Sequence, residues 1–227
     1  MRMSKKIMLL VIAAVSAIAF TALPAVASAT TPEVDFAGGD GTPTFTGTFA
    51  SGSLTTASET VKCGPENHVS GEWTSKTTGT ISIVFTHCKG PLEANCQNTA
   101  TTGEIKTGPY VFHLEYIKGF TKTPGILVTP PAGGQFAEFK CSLITIKVTG
   151  NGVLGHVENT CGEVSAEQKT SFTSSSAGVQ TYQEWEGSTE KWHLKSKTGG
   201  GSEVEASEDA TASTTLEEGV KGTLTCP

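Results

Sequence analysis

Residues 109–117 alternate with a period of two: Tyr110, Phe112, Leu114 and Tyr116 fall on one face, His113 and Glu115 on the other. Successive side chains of a strand point to opposite faces, so the pattern describes a strand with one side buried. Ile81, Ile83 and Phe85 repeat it, and Phe45 and Phe49 punctuate a Thr-rich stretch. Residues 126–128 run into Pro130-Pro131, which ends or edges a strand. In 136–149, Phe139, Cys141 and Leu143 are in phase, then Ile144, Ile146 and Val148. That slip predicts a β-bulge near Ser142, or two strands meeting there. Further short strands are expected at 153–157, 169–173, 179–185, 192–195 and 222–225. Gly199-Gly200-Gly201 reads as a turn, and 199–213, poor in large apolar groups, as a mobile segment. About ten to twelve short, mostly antiparallel strands make an all-β fold, a sandwich or barrel.

Before this pattern begins, the chain carries an address. Arg2, Lys5 and Lys6 precede an apolar stretch, and Ala27-Ser28-Ala29 supplies a small-residue cleavage pattern, so 1–29 reads as a signal peptide. The apolar core spans about 14 to 17 residues, short of the roughly 20 that a membrane span needs. The expected organisation is a signal peptide over 1–29, a loose leader over 30–40 and a single all-β domain over 41–227, secreted with no stable membrane span.

All six cysteines (Cys63, Cys88, Cys96, Cys141, Cys161 and Cys226) follow the leader, and an even count in an exported chain reads as a disulfide framework. Cys96 lies eight residues after Cys88, so a bridge closes a short ring worth about 2.5 kcal/mol. Cys63 and Cys141 each follow a lysine at comparable strand positions, which suggests a second bridge. A rival set joins Cys63–Cys88, Cys141–Cys161 and Cys96–Cys226, and the sequence leaves both open. A net charge of −6 with scattered basic residues argues against nucleic acid, which needs a basic patch to replace phosphate counterions.

The succession of Cys63, the strand ending Phe85-Thr86-His87-Cys88, Cys96, the segments 102–117 and 136–141, and the run 148–155 resembles a set of exported β-rich proteins of soil actinobacteria. The resemblance covers most of the chain after the leader. It implies compartment and fold class, and its motifs are structural punctuation that carries no activity. The cysteines usual in that set match 63, 88, 96 and 141, so Cys161 and Cys226 look like extras, and the resemblance implies that they pair with each other.

Few residues offer chemistry. His87-Cys88 has the composition of a nucleophile with its base, but neighbours on a strand face opposite ways, and a bridged thiol is inert. His113-x-Glu115 supplies two ligands where zinc needs three or four, so no metal and no cofactor is expected. His68, His156 and His193 are isolated, and Asp35, Asp40 and Asp209 fall in leader or loop regions. Trp73, Trp185 and Trp192 are the candidate ligand-binding residues, because aromatic faces bind sugar rings, although tryptophan also anchors cores. The favoured reading is a secreted protein with no catalytic residues, acting at or outside the cell envelope. The first alternative is a module binding an extracellular glycan or envelope polymer through Trp185 and Trp192. The second is a secreted glycoside hydrolase using Glu184 or Glu186.

Overall fold

The computed structural model describes residues 30–38, 42–132 and 134–227. The segment read as a signal peptide and Asp40 lie outside them. Nineteen strands form among the described residues, more than the ten to twelve expected. The first six are β1 (Glu33–Ala37), β2 (Thr44–Phe49), β3 (Gly52–Thr56), β4 (Thr60–Cys63), β5 (Asn67–Trp73) and β6 (Thr78–Phe85). Next come β7 (Cys96–Gln97), β8 (Ile105–Tyr116), β9 (Pro124–Thr129), β10 (Gln135–Cys141), β11 (Ile144–Gly150) and β12 (Val153–Val157). The last are β13 (Val164–Ser165), β14 (Glu167–Phe172), β15 (Ser174–Ser176), β16 (Val179–Gln180), β17 (Leu194–Thr198), β18 (Glu203–Leu216) and β19 (Lys221–Thr225).

Eight of these strands close an antiparallel barrel in the order β14-β12-β9-β8-β6-β5-β2-β18, with β18 returning to β14. The alternation in β8 follows from closure: Tyr110, Phe112, Leu114 and Tyr116 are buried, and their odd-numbered neighbours look outward. Glycines at two strand positions let rings lie flat on the opposing backbone. A Cβ on Gly79 would meet the Phe112 ring at 2.4 Å, and one on Gly155 would meet Phe172 at 2.8 Å. Trp73 packs edge-on against Phe112, ring centroids 4.8 Å apart, and against Phe36 of β1 at 5.4 Å.

A second ring of strands shares β18. Its first half pairs β3 on one edge and β17 on the other, and β17 continues through β11 and β10 to β7. Single bridges, Lys89 to Asn95 and Lys62 to Lys89, then carry the ring back through β4 to β3. The first barrel is covered at the Trp73 end by a small sheet in the order β1-β19-β13, and Val34 N–H donates to the Lys76 carbonyl in the β5–β6 turn. No helix among the described residues is long and apolar enough to cross a membrane.

Several expectations change. The loose leader over 30–40 contains β1, paired along its whole length with β19. The mobile segment at 199–213 falls largely within the longest strand, β18. The slip in 136–149 is two strands meeting at a tight turn, with Ser142 at φ +56°. Only Val179–Gln180 of the 179–185 stretch is a strand. The extra strands escape sequence reading because they are short or built of Ser, Thr and Gly, as in GSLTT and SSS.

The bridges are Cys63–Cys88, Cys96–Cys141 and Cys161–Cys226. The third agrees with the pairing that the resemblance implies, while Cys88–Cys96 and Cys63–Cys141 are corrected. Four cysteines stand in a row across neighbouring strands, so loop length does make Cys88 and Cys96 neighbours. Cys96 N–H donates to the Cys88 carbonyl at 2.9 Å, which makes that crossing a hydrogen-bonded one. Lys62 and Lys89 exchange both backbone bonds, which leaves Cys63 and Cys88 as the close, non-hydrogen-bonded pair beside them. Their Cα atoms are 4.0 Å apart, as are those of Cys96 and Cys141. Peptide mapping without reduction should return these pairs, and a linked 88/96 peptide would refute the row. Replacing Cys161 and Cys226 together by serine should lower the unfolding free energy by about 2 to 4 kcal/mol in urea titrations.

Candidate functional site

β18 turns every second residue into the barrel, and those residues are small: Ala210, Ala212 and Thr214, after Glu208. Beside them on the neighbouring strand, β14 contributes Gln168, Thr170 and Phe172, paired with Thr214, Ala212 and Ala210. Eight-stranded barrels enclose either interlocked side chains or room for one small ligand. This barrel is not filled, and a cavity of about 60 Å³ remains between β18 and the rings of Phe45, Trp73 and Phe112. A second cavity, of about 80 Å³, lies in the second ring among Leu54, Val61, Phe85, Phe136, Phe139 and Leu194. Each exceeds the ~10 to 15 Å³ that one water requires.

Glu208 stands on the wall of both cavities. Its main chain is pinned by buried Gln180, whose Oε1 accepts from Glu208 N–H at 2.9 Å and whose Nε2 donates to the Glu208 carbonyl at 3.0 Å. Its carboxyl has no hydrogen-bond or ion-pair partner among the described residues. Part of the residue's surface stays accessible, and the residue lines both cavities. Burial pushes the Glu208 carboxyl up to about 7, and the charge of Asp209 adds to the effect. Asp209 itself faces the other way, accepting from Ser174 N–H and Ser174 Oγ, both at 2.7 Å. The Tyr110 phenol, pushed up to about 12 mainly by burial, donates to the Phe136 carbonyl.

The tryptophans divide. Trp73 is 2% exposed, and its Nε1 is buried without a partner among the described residues. It is a wall of the barrel cavity, not part of an exposed sugar platform. Trp185 and Trp192 lie outside the barrel, on the excursion between β14 and β17. There Ile117, Leu127 and Leu154 face outward from the wall and are covered by Tyr182, Trp185 and Trp192. The two indoles are 4.8 Å apart and tilted by 31°, each half-buried, so they cap an apolar patch and do not form a flat pair. Trp192 reaches the wall because Gly152 has no side chain, since a Cβ there would come within 2.6 Å of its ring.

The remaining candidates stay apart. Glu184 pairs with Lys118, which holds its carboxyl below the usual glutamate range, and Glu186 is exposed. His113 and Glu115 sit on the outer face of β8, where burial lowers the imidazole and raises the carboxyl, favouring the neutral form of each. His87 is off the strand at φ +52°, and Cys88 is bonded to Cys63. Among the described residues no three His, Cys, Asp or Glu gather to hold a metal. A surface hollow of about 770 Å³ beside the Cys96–Cys141 bridge is open and walled by polar side chains such as Asn95, Asn98 and Glu138. Glu208 was missed because it lies in a segment read as mobile. The available signal was small residues at period two around an acid: Ala206, Glu208, Ala210, Ala212.

A folded-state carboxyl raised toward 7 binds a proton that the unfolded chain, near 4.5, has already released. The associated stability is complete below about pH 4.5 and is lost as pH rises through 7. Glu208→Gln should therefore gain on the parent chain between pH 5 and pH 8.5, by about 3 kcal/mol at most. Urea unfolding of both at each pH measures it, and identical pH dependence in the two chains would refute the assignment.

No known protein family, curated protein or solved structure matches this chain, so the site rests on its own geometry.

Proposed function

We propose that this is an exported, non-catalytic binding barrel that holds a small, largely apolar molecule in its interior. The carrying observation is the unfilled space in a closed barrel, beside Ala210, Ala212 and Thr214, where larger side chains would complete the core. An empty apolar cavity forfeits dispersion contacts, which a ligand of matching shape restores. Three disulfides fit an oxidising, extracellular setting for such a protein, at or outside the cell envelope. The glycan-binding alternative has less support, because Trp185 and Trp192 turn surface toward Leu127 and Leu154. The hydrolase alternative has least, because a Lys118-paired Glu184 is held ionised and a general acid needs its proton.

Xenon under pressure is a probe without polar groups. It should shift the NMR signals of Ala212, Ile126 and Val128, and Ala212→Leu should abolish the effect by filling the space. Absence of any shift in the parent chain would count against an accessible interior. Trp185→Ala and Trp192→Ala should each lower stability by about 2 kcal/mol, less than a fully buried tryptophan would. Retention on insoluble polysaccharide should be the same for parent and variants, and retention that vanishes in both variants would move the reading to the glycan module.

A further inference from the structure

Resting on that reading, we infer that the ligand is a small apolar amine, held as its ammonium ion against the Glu208 carboxylate, which lines both cavities. The position of the acid comes first. Glu208 is the only ionisable side chain on the wall of either cavity among the described residues, and it is on both. No lysine, arginine or histidine lines either space. Charges taken out of water in proteins are paired, and this one has no partner among the described residues.

Three ligand chemistries can be weighed against that wall. An anion would meet Glu208 with Asp209 behind it and would be repelled. A neutral alcohol or amide can accept a hydrogen bond from the protonated acid, but leaves the carboxylate unpaired once it ionises. An ammonium ion supplies the missing charge and up to three donors in a low-dielectric space, where attraction between opposite charges is strong. The apolar part of such a ligand has room on either side, in cavities of about 80 and 60 Å³, which suits groups of a few carbon atoms.

Binding of an ammonium ion requires the ionised carboxyl, so affinity is linked to pH. The groups facing Glu208 are few. Asp209 on the same strand turns its carboxyl to Ser174, and Tyr110 of β8 is the titratable group across the interior. Leu54 of β3, Gln168 and Thr170 of β14, and Gln180 of β16 carry no titrating group. With the carboxyl near 7, the ionised fraction climbs about 30-fold between pH 5.5 and pH 8, and amine affinity should climb with it.

The test is calorimetry on the oxidised chain with n-butylamine, n-butanol and butyrate at pH 5.5 and 8. Butylamine should bind more tightly than butanol at pH 8, weaken about 30-fold at pH 5.5, and lose both preferences in Glu208→Gln, while butanol binds parent and variant alike. Butanol binding as tightly as butylamine at pH 8, or an amine affinity unchanged in Glu208→Gln, overturns the inference. Should the variant fail to fold, the pH dependence in the parent chain still decides. If xenon and butanol enter but show no disadvantage against the amine, the barrel reading stands and the amine falls. If none of the probes enters, both fall together.

Discussion

Over its 14 residues β18 takes backbone hydrogen bonds from four strands, β17 and β3 on its first half, β14 and β2 on its second. Both rings close through it, so neither has a free edge at this strand, and an unpaired edge is what invites association with other chains. A strand held from both sides does not need large apolar side chains to stay in place. That freedom shows in the sequence, where Ala210, Ala212 and Thr214 face inward. Small residues on a strand that closes a barrel leave space next to it, and the cavities follow from that choice. Gln180 reinforces the same point, since its two bonds to the Glu208 main chain fix the strand where it passes from one ring to the other.

The covalent staples sit where the hydrogen-bonded ladders are thinnest. The eight-stranded barrel is joined by ladders at every step, and none of its neighbouring strands is bridged to another by cysteine. The second ring closes through single bridges at Lys62, Lys89 and Asn95, and two disulfides stand directly beside them. Each links strands whose pairing would otherwise rest on one or two backbone contacts. The third ties the segment before β13 to the last residues of the chain, holding the three-stranded sheet over the Trp73 end. Cross-linking of this kind offsets in the unfolded state part of what an unfilled interior gives up in the folded one.

How much of this was legible depended on side-chain size. Where large apolar residues alternate, as in β6 and β8, the sequence names both the strand and its inner face. Where Ser, Thr, Ala and Gly carry the pairing, as in β3, β15 and β18, the strands exist because neighbours complete their hydrogen bonds, and no local pattern reports that. β1 (EVDFA) has alternating Val34 and Phe36, but its partners lie nearly two hundred residues away in β19, so only the fold shows its pairing. The six cysteines announced a framework, but their pairing depended on which crossings of the row are hydrogen-bonded, a property of register. Trp73 and Trp185 look alike in sequence, each beside glutamate in a strand-like run. Only closure puts the first inside the barrel and the second over its outer wall.

The isolation of Glu208 is not a shortage of polar groups. Thr107 lines the same cavity, but its hydroxyl donates to the Ile83 carbonyl at 3.2 Å. Tyr110 gives its hydroxyl to Phe136, Gln180 spends both ends of its amide on main-chain groups, and Asp209 takes its hydrogen bonds from Ser174. These four neighbours, Thr107, Tyr110, Gln180 and Asp209, are engaged elsewhere. A leucine at this position would remove the burial penalty and fill part of both cavities, gaining in two ways at once. The chain instead places an unpartnered acid on the wall of two spaces that no side chain fills. Stability is given up there on both counts, charge and packing, and the two deficits share one location. A single bound molecule with a cationic head and an apolar body would cancel both.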